Sequence, residues 1–392
     1  MLYVGIDVAK RKHDCFITNE YGEALTDVFT IQNTKEGFEE LFRAIKSHQP
    51  HPSNENTKVG LEATGHYSDN IAGFLRKIGL PPIILNPLHV NLYRKGQSLR
   101  KAKTDKIDPR FIAKMMIMEE FAPHSLPSYH SEELKSLTRY RHRMVKARSV
   151  LKVSYDRLLS IMFPELEGFV SDTLGKTVTK LLLEFPSTEA ISECHLTRLT
   201  NLVVQYSHGR HDKEWAIKLK ELAKDSIGSS SPAKVLELRQ TIRQIMNISD
   251  EISLVEDEIK SLVISSGTTL MTIPGISYTL AGIILAEIGD ITRFENPGKL
   301  QAFAGLDPTV YQSGQFAGTK DVMVKRGSTY LRWALIMAAR NVSMFDKTFN
   351  QYLDKKLASG KHYNSAMGHV AKKLIRVVFC LMNTGEAYMA KA

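Results

Sequence analysis

Residues 2–9 read LYVGIDVA. Side chains alternate across a strand, so Leu2, Val4, Ile6 and Val8 share one face while Tyr3, Gly5 and Asp7 share the other. An acid at the end of an apolar strand is costly unless it is paired or binds a metal. Working outward, residues 12–19 and 25–32 predict two more strands. Residues 34–47 carry Phe38, Leu41, Phe42 and Ile45 at helical spacing, with Asn33 or Thr34 as the cap. PHPSNEN, from residue 50, breaks the chain. TKVGLEA predicts a strand ending near Glu62, the periodicity from Tyr67 to Ile78 predicts a helix closing at Gly79, and PPIILNP predicts another strand. The order βββαβαβ predicts a mixed α/β sheet with helices packed on it.

Glu62 repeats the predicament of Asp7, an acid at the end of an apolar strand. A third and fourth acid stand in KAKTDKIDPRF, residues 101–111. Asp105 and Asp108 open a predicted helix that Thr104 can cap, and positions i and i+3 lie on one helix face. Acids also favour a first turn simply because of the helix dipole. Pro109 is tolerated there because its missing N–H would be unpaired anyway.

Further along, Leu134, Leu137, Met144, Leu151, Leu158 and Met162 recur every three to four residues, beside a stripe of Arg139, Arg143 and Lys146. The pattern predicts a long basic amphipathic helix over 130–163. Residues 232–263 repeat it with Leu238, Ile242, Ile245, Ile252, Ile259 and Val263, which predicts a coiled coil. Ser249 and Glu256 sit where apolar residues are wanted, so the coil is short or imperfect, and the two arms either pack together in cis or dimerise. From residue 268, LMTIPGISYTLAGIILAEIG predicts a helix–hairpin–helix in which Gly275 lets the backbone approach a phosphate. The expected plan is an α/β domain over 1–125, a helical linker region over 126–264 and a small α-rich domain over 265–392.

The 392 residues carry a formal net charge of +10. Residues 89–165 hold 16 Lys and Arg against 8 Asp and Glu, and residues 320–376 hold 12 against 3. Two basic blocks point to a polyanion partner, most simply nucleic acid. Three scattered cysteines without a CxxC pair argue against a disulfide framework or zinc knuckle, and predict a reducing compartment with the thiols as core filler. No apolar run approaches the ~20 residues of a membrane span, and the start of the chain has no signal-peptide pattern.

Four carboxylates on strand ends and a helix start are hard oxygen donors suited to magnesium. YVGIDVAK, LEATGHY, KTDKIDPRFIA, IPGIS, LAEIGDITRF, QAFAGLDP, YQSGQFAG and KRGSTYLRWAL, in that order, resemble the DEDD transposases of insertion sequences. That group includes the Piv-type DNA invertases and the bridge-RNA-guided recombinases. Pro109 departs from the small residue the family usually carries there, and residues 165–230 match no familiar pattern.

The resemblance implies an RNase-H-like (RuvC-like) N-terminal fold. It implies Asp7, Glu62, Asp105 and Asp108 as ligands of Mg2+, or of Mn2+ in its place, and Ser313 as a nucleophile that forms a phosphoserine–DNA link. Read from the residues alone, Ser313 is a loop serine before Gly314, and Ser328 is the cap of a helix through Leu331 and Leu335. Other implied features are double-stranded DNA at the element ends and target, a non-coding guide RNA, a homodimer or homotetramer, and a cytoplasmic, nucleoid-associated place in a prokaryote. Lys101, Lys103, Arg139, Arg143, Lys146, Gly275, Lys325, Arg326 and Arg332 are the expected nucleic-acid contacts. Three alternatives compete. A hydrolytic junction-resolving nuclease would use the same acids with water. A kinase-like ATPase would share the GIDVAK loop but lacks a later Asp-x-Gly-Gly loop. A non-enzymatic DNA-binding regulator has no use for four acids.

Overall fold

A computed structural model describes residues 1–62, 65–85, 90, 93, 108–118, 129–308, 312–313, 316–317 and 323–390. The chain divides into two units, Met1–Pro127 and Ser128–Ala392.

In the first unit, β1 (Leu2–Val8), β2 (Lys12–Asn19) and β3 (Phe29–Gln32) form an antiparallel meander. Helix α1 (Lys35–His48) follows, and Thr34 caps it by accepting from the Gly37 N–H. β4 (Thr57–Glu62) pairs parallel to β1. A 3-10 turn (Gly65–Ser68), α2 (Asp69–Lys77) and β5 (Ile83–Leu85) then extend the sheet to the order β3-β2-β1-β4-β5. β3 begins at Phe29, four residues later than the sequence predicts.

The two faces of the sheet are covered as the alternation requires. Leu2, Val4, Ile6 and Val8 join Cys15, Ile17, Leu41, Ile45, Ile71 and Leu75 in one core with α1 and α2. The opposite face is covered by α3 (Asp108–Met118), whose Ile112, Met115 and Met116 pack with Tyr3, Ile83 and Leu85. Two glycines let α3 lie close. A Cβ on Gly5 would fall 2.0 Å from the Pro109 carbonyl oxygen, and one on Gly60 would fall 2.5 Å from the Met116 sulfur.

The second unit opens with α4 (Tyr129–Met162). Five shorter helices follow: α5 (Leu166–Phe169), α6 (Lys176–Glu184), α7 (Thr188–Glu193), α8 (Leu196–Ser207) and α9 (Lys213–Lys224). α10 (Pro232–Ser265) then returns alongside α4. At 34 residues each, the two long helices span about 50 Å. Their cross-pairs run in opposite directions along the chain: Arg157 with Glu237, Arg148 with Ser249, and Arg141 with Glu256. The helices are therefore antiparallel partners within one chain. Ser249 and Glu256, out of place in an apolar seam, are the residues that receive arginines from α4.

Two separate cores sit at the ends of this pair. Tyr155, Leu158, Met162, Leu238, Ile242 and Ile245 pack with the five short helices. Leu134, Ile259 and Val263 pack with the rest of the chain: α11 (Tyr278–Ile288), α12 (Pro297–Phe303), α13 (Thr329–Phe345), α14 (Lys347–Ala358) and α15 (Tyr363–Thr384). Between α12 and α13, β6 (Gln312–Ser313) pairs with β7 (Phe316–Ala317). Of the cysteines, Cys15 is buried and Cys194 is half-buried against the core of the short helices, whereas Cys380 is exposed and is not core filler. None of the described helices is long and apolar enough to cross a membrane.

Candidate active site

The parallel register of β1 and β4 ends with Ile6 opposite Leu61. Asp7 and Glu62 are the next residues on these neighbouring strands, and both are half-buried. Strand alternation puts Asp7 on the face of Gly5 and Glu62 on the face of Gly60, which is the face that α3 covers. Asp108 is the first residue of α3, and the next residue, Pro109, has its carbonyl against Gly5. The backbone thus gathers Asp7, Glu62 and the start of α3 at one end of the sheet. Asp105, Lys101 and Lys103 lie outside the described residues. Among the described residues, no three His, Cys, Asp or Glu side chains form a group that could hold a metal ion. Carboxylate oxygens on adjacent strand ends nonetheless fit a hard cation such as Mg2+ by donor type.

One further acid has no place in the strand-end pattern of the sequence. Asp14 of β2 stands directly across from Asp7 in the antiparallel register, and Thr30 of β3 stands across from Asp14. Thr30 donates its hydroxyl to Asp14 Oδ1 at 2.5 Å. A signal for it exists in the sequence: strands over 2–9 and 12–19 joined by a tight turn pair residues whose numbers sum to 21.

In the second unit, Ser313 lies on β6, paired with Phe316 of β7. The flanking chain is pinned at both ends. Pro308 bridges to Met323, Asp307 accepts from the Val324 N–H, and Gly305 accepts from the Lys325 N–H. Arg332 donates to the carbonyls of Ala304 and Lys325. Ser328 caps α13 by accepting from the Leu331 N–H, and its own hydroxyl donates to Glu287 at 2.7 Å.

Glu287 is buried on α11 and also takes two hydrogen bonds from Arg139, at 2.7 and 3.1 Å. Burial alone would raise its pKa. The hydrogen bonds from Arg139 and Ser328, with the charges of Arg139 and Lys135, outweigh burial and hold the carboxyl below its usual value. Lys135 is pushed down by burial and by the neighbouring Arg139 and Arg293 charges, although Glu287 opposes the shift.

The expected nucleic-acid contacts fall into different surroundings. Arg143, Lys146, Lys325 and Arg326 are exposed. Arg139 and Arg332 are engaged in the bonds just described. Gly275 has φ +86°, and the backbone that approaches it is Asn341 of α13, whose amide donates to the Gly275 carbonyl at 3.1 Å.

Residues 4–164 match a transposase family, the DEDD transposases of IS110 type. Residues 267–354 match the IS116/IS110/IS902 transposase family. A pilin gene-inverting protein of Moraxella lacunata is 25% identical over 389 residues, covering 98% of this chain and 97% of its own. The transposase for insertion sequence element IS1111A of Coxiella burnetii is 24% identical, covering 99% of this chain and 92% of its own. An insertion element IS116 protein of Streptomyces clavuligerus is 23% identical over 97% of this chain and 94% of its own. Two family matches in order, with relatives aligned from end to end, make this chain a member of the IS110-type DEDD transposases.

Proposed function

We propose that this chain is the recombinase of an insertion sequence, cutting and rejoining DNA strands with a serine nucleophile and a divalent cation. The first unit reads as an RNase-H-like domain, a reading supported by the 3-2-1-4-5 strand order and the antiparallel-then-parallel pairing. Asp7, Glu62, Asp105 and Asp108 would hold the cation, Mg2+ by choice. When bound, it would polarise phosphate oxygens and stabilise charge on the attacking and leaving groups. Ser313 would attack the scissile phosphorus and displace the 3′ or 5′ oxygen, leaving a phosphoserine link that preserves the phosphodiester energy for rejoining. Its hydroxyl needs a base or a cation to become a competent nucleophile. The exposed Arg143, Lys146, Lys325 and Arg326 would hold nucleic-acid backbones rather than read bases. DNA, a non-coding guide RNA and a second copy of the chain are the proposed partners.

The observation that carries this reading is the register of Asp7 and Glu62 on neighbouring parallel strands, at the start of the helix that Asp108 opens. The test is covalent trapping: co-express the chain with its element DNA, including the non-coding ends, and a target plasmid. Digest, and search by mass spectrometry for a nucleotide adduct. An adduct on the peptide holding Ser313, absent in Ser313→Ala and Asp7→Asn, is expected. Cut DNA without an adduct would instead make the protein a hydrolytic nuclease.

A further inference from the structure

The chain has two tryptophans, and they are placed differently. Trp215 of α9 packs against the core of the short helices and stacks on His211, with ring centres 4.6 Å apart and planes 20° from parallel. Trp333 of α13 is 37% exposed. Its ring meets His142 of α4, 5.6 Å away and nearly perpendicular at 79°. His142 meets Tyr330 in the same way, at 5.1 Å and 78°. Tyr330 packs against the core at this end of the long helices. Three rings from two helices thus form one array, and among the described residues no ring lies parallel to Trp333. An exposed indole without a stacked neighbour keeps apolar surface in water, at a cost that a flat partner would remove.

The surroundings of this array are cationic. The Arg139 guanidinium lies over the Tyr330 ring, 4.9 Å from its centre. Burial, and after it the charges of Lys146 and Arg141, hold His142 below its usual pKa. The imidazole is therefore neutral near pH 7 and contributes a ring rather than a charge. Arg340 stands seven residues beyond Trp333, on the same side of α13, and is exposed. The acids that face these arginines, Glu287 and Glu256, are already engaged by Arg139 and Arg141. A purely apolar partner would have to bury positive charge without a counter-ion, which is costly. A nucleotide matches both halves of the surface, with a base for the ring and a phosphate for the cations.

We propose that Trp333, with His142 and Tyr330 beside it, is a stacking site for an unpaired base of single-stranded DNA. A base inside a duplex has both faces covered by its neighbours, so the site takes only a base that has left the stack. DNA is the occupant because cutting and rejoining, as proposed above, frees a strand from its complement; the inference rests on that reading. The rings add a preference that phosphate contacts lack, since cations hold duplex and single strand alike. The competing explanation is structural: Trp333 merely braces α13 against α4 through His142.

Fluorescence separates the two, because Trp215→Phe in the full chain leaves Trp333 as the sole indole. Titration with oligo(dT) is expected to quench its emission, and a DNA duplex of the same length to leave it nearly unchanged. Trp333→Leu should weaken oligo(dT) binding by about fivefold or more. It should leave duplex affinity and the salt slope close to those of wild type, since no phosphate contact is lost. Trp333→Phe keeps a ring and should lose less. Oligo(dT) binding without quenching, or an equal loss of duplex and single-strand affinity in Trp333→Leu, would overturn the proposal in favour of the structural brace. Stronger quenching by oligo(U) RNA than by oligo(dT) would overturn DNA as the occupant. If Trp215→Phe does not fold, the difference in emission between wild type and Trp333→Leu carries the same signal. If Trp333→Leu does not fold, Trp333→Phe decides: wild-type quenching and affinity for duplex alone overturn the proposal. The Ser313 adduct stays a separate readout. An adduct without quenching overturns the stacking site alone, whereas quenching without an adduct overturns the serine-recombinase reading and supports the stacking site.

Discussion

Arg139 of α4 and Glu287 of α11 form a two-pronged ion pair across 148 residues of chain. Glu287 is 2% exposed and Arg139 38%, so the pair is anchored at its acidic end. Glu287→Gln is expected to lower stability by about 3 kcal/mol, the low end for breaking a buried pair, because the guanidinium keeps some solvent. A double-mutant cycle with Arg139→Met, read by denaturant unfolding, checks the coupling. The pH dependence has a definite sign. The carboxyl is depressed in the folded chain, so its contribution is complete above the unfolded value of about 4.3 and fades as pH falls through the lower folded value. The gap in melting temperature between wild type and Glu287→Gln should therefore narrow as the pH is lowered from about 6 to about 3.

Gly5 offers no room for a side chain, since its Cβ would meet the Pro109 carbonyl at 2.0 Å. Gly5→Ala should push the start of α3 away from β1, costing about 1–3 kcal/mol as an overpacked site does. Because α3 opens with Asp108, the same change should weaken Mn2+ binding even under conditions where the chain remains folded. Calorimetry at a temperature well below the melting transition measures this.

Ser313 and Ser328 should part company. Ser328→Ala removes a helix cap and a hydrogen bond to Glu287, so a stability loss of about 1–2 kcal/mol is expected, with the DNA adduct retained. Ser313→Ala removes one hydroxyl oxygen, so it should leave the melting temperature close to that of wild type while abolishing the adduct.

The arginines and lysines of α4 should separate in the same way. Arg143→Ala with Lys146→Ala should weaken binding to any DNA or RNA duplex and lower the salt slope of log K by about two, roughly one for each phosphate no longer neutralised. Arg139→Ala should act first on stability, because its guanidinium already serves Glu287. Filter binding across a salt series, paired with melting curves, distinguishes the two outcomes.

Much of the fold is readable from the sequence because its determinants are local. Period-two alternation in β1 settles which residues face which layer, and Thr34 caps α1 as its position suggests. Helical spacing locates α4 and α10 to within a residue or two. Their packing against each other becomes legible only with the register, since Arg141 and Arg148 have to be matched to Glu256 and Ser249 across about a hundred residues. The Asp14–Thr30 bond is hidden from a reading that weighs strand-end acids one at a time, because only the cross-strand partners reveal it. The Arg139–Glu287 pair is hidden because a basic stripe on a helix looks alike whether it faces solvent or a buried carboxylate. Gly275 is legible as a site of close approach, but the approaching backbone of Asn341 belongs to a helix more than sixty residues away.

The paired helices α4 and α10 have a mechanical consequence. Their two cores begin near Leu134 and Tyr155 on α4, about 30 Å apart along the axis, and between them Met144 and Ile252 are buried beside the arginine couplings. The pair is thus a strut whose mid-section carries little of either core. Lengthening both rods together by seven residues, two helical turns, would carry the bundle of short helices outward by about 10 Å while turning it only ~20°. The chain has a built-in extension piece, and a reach that can be altered without redesigning either end.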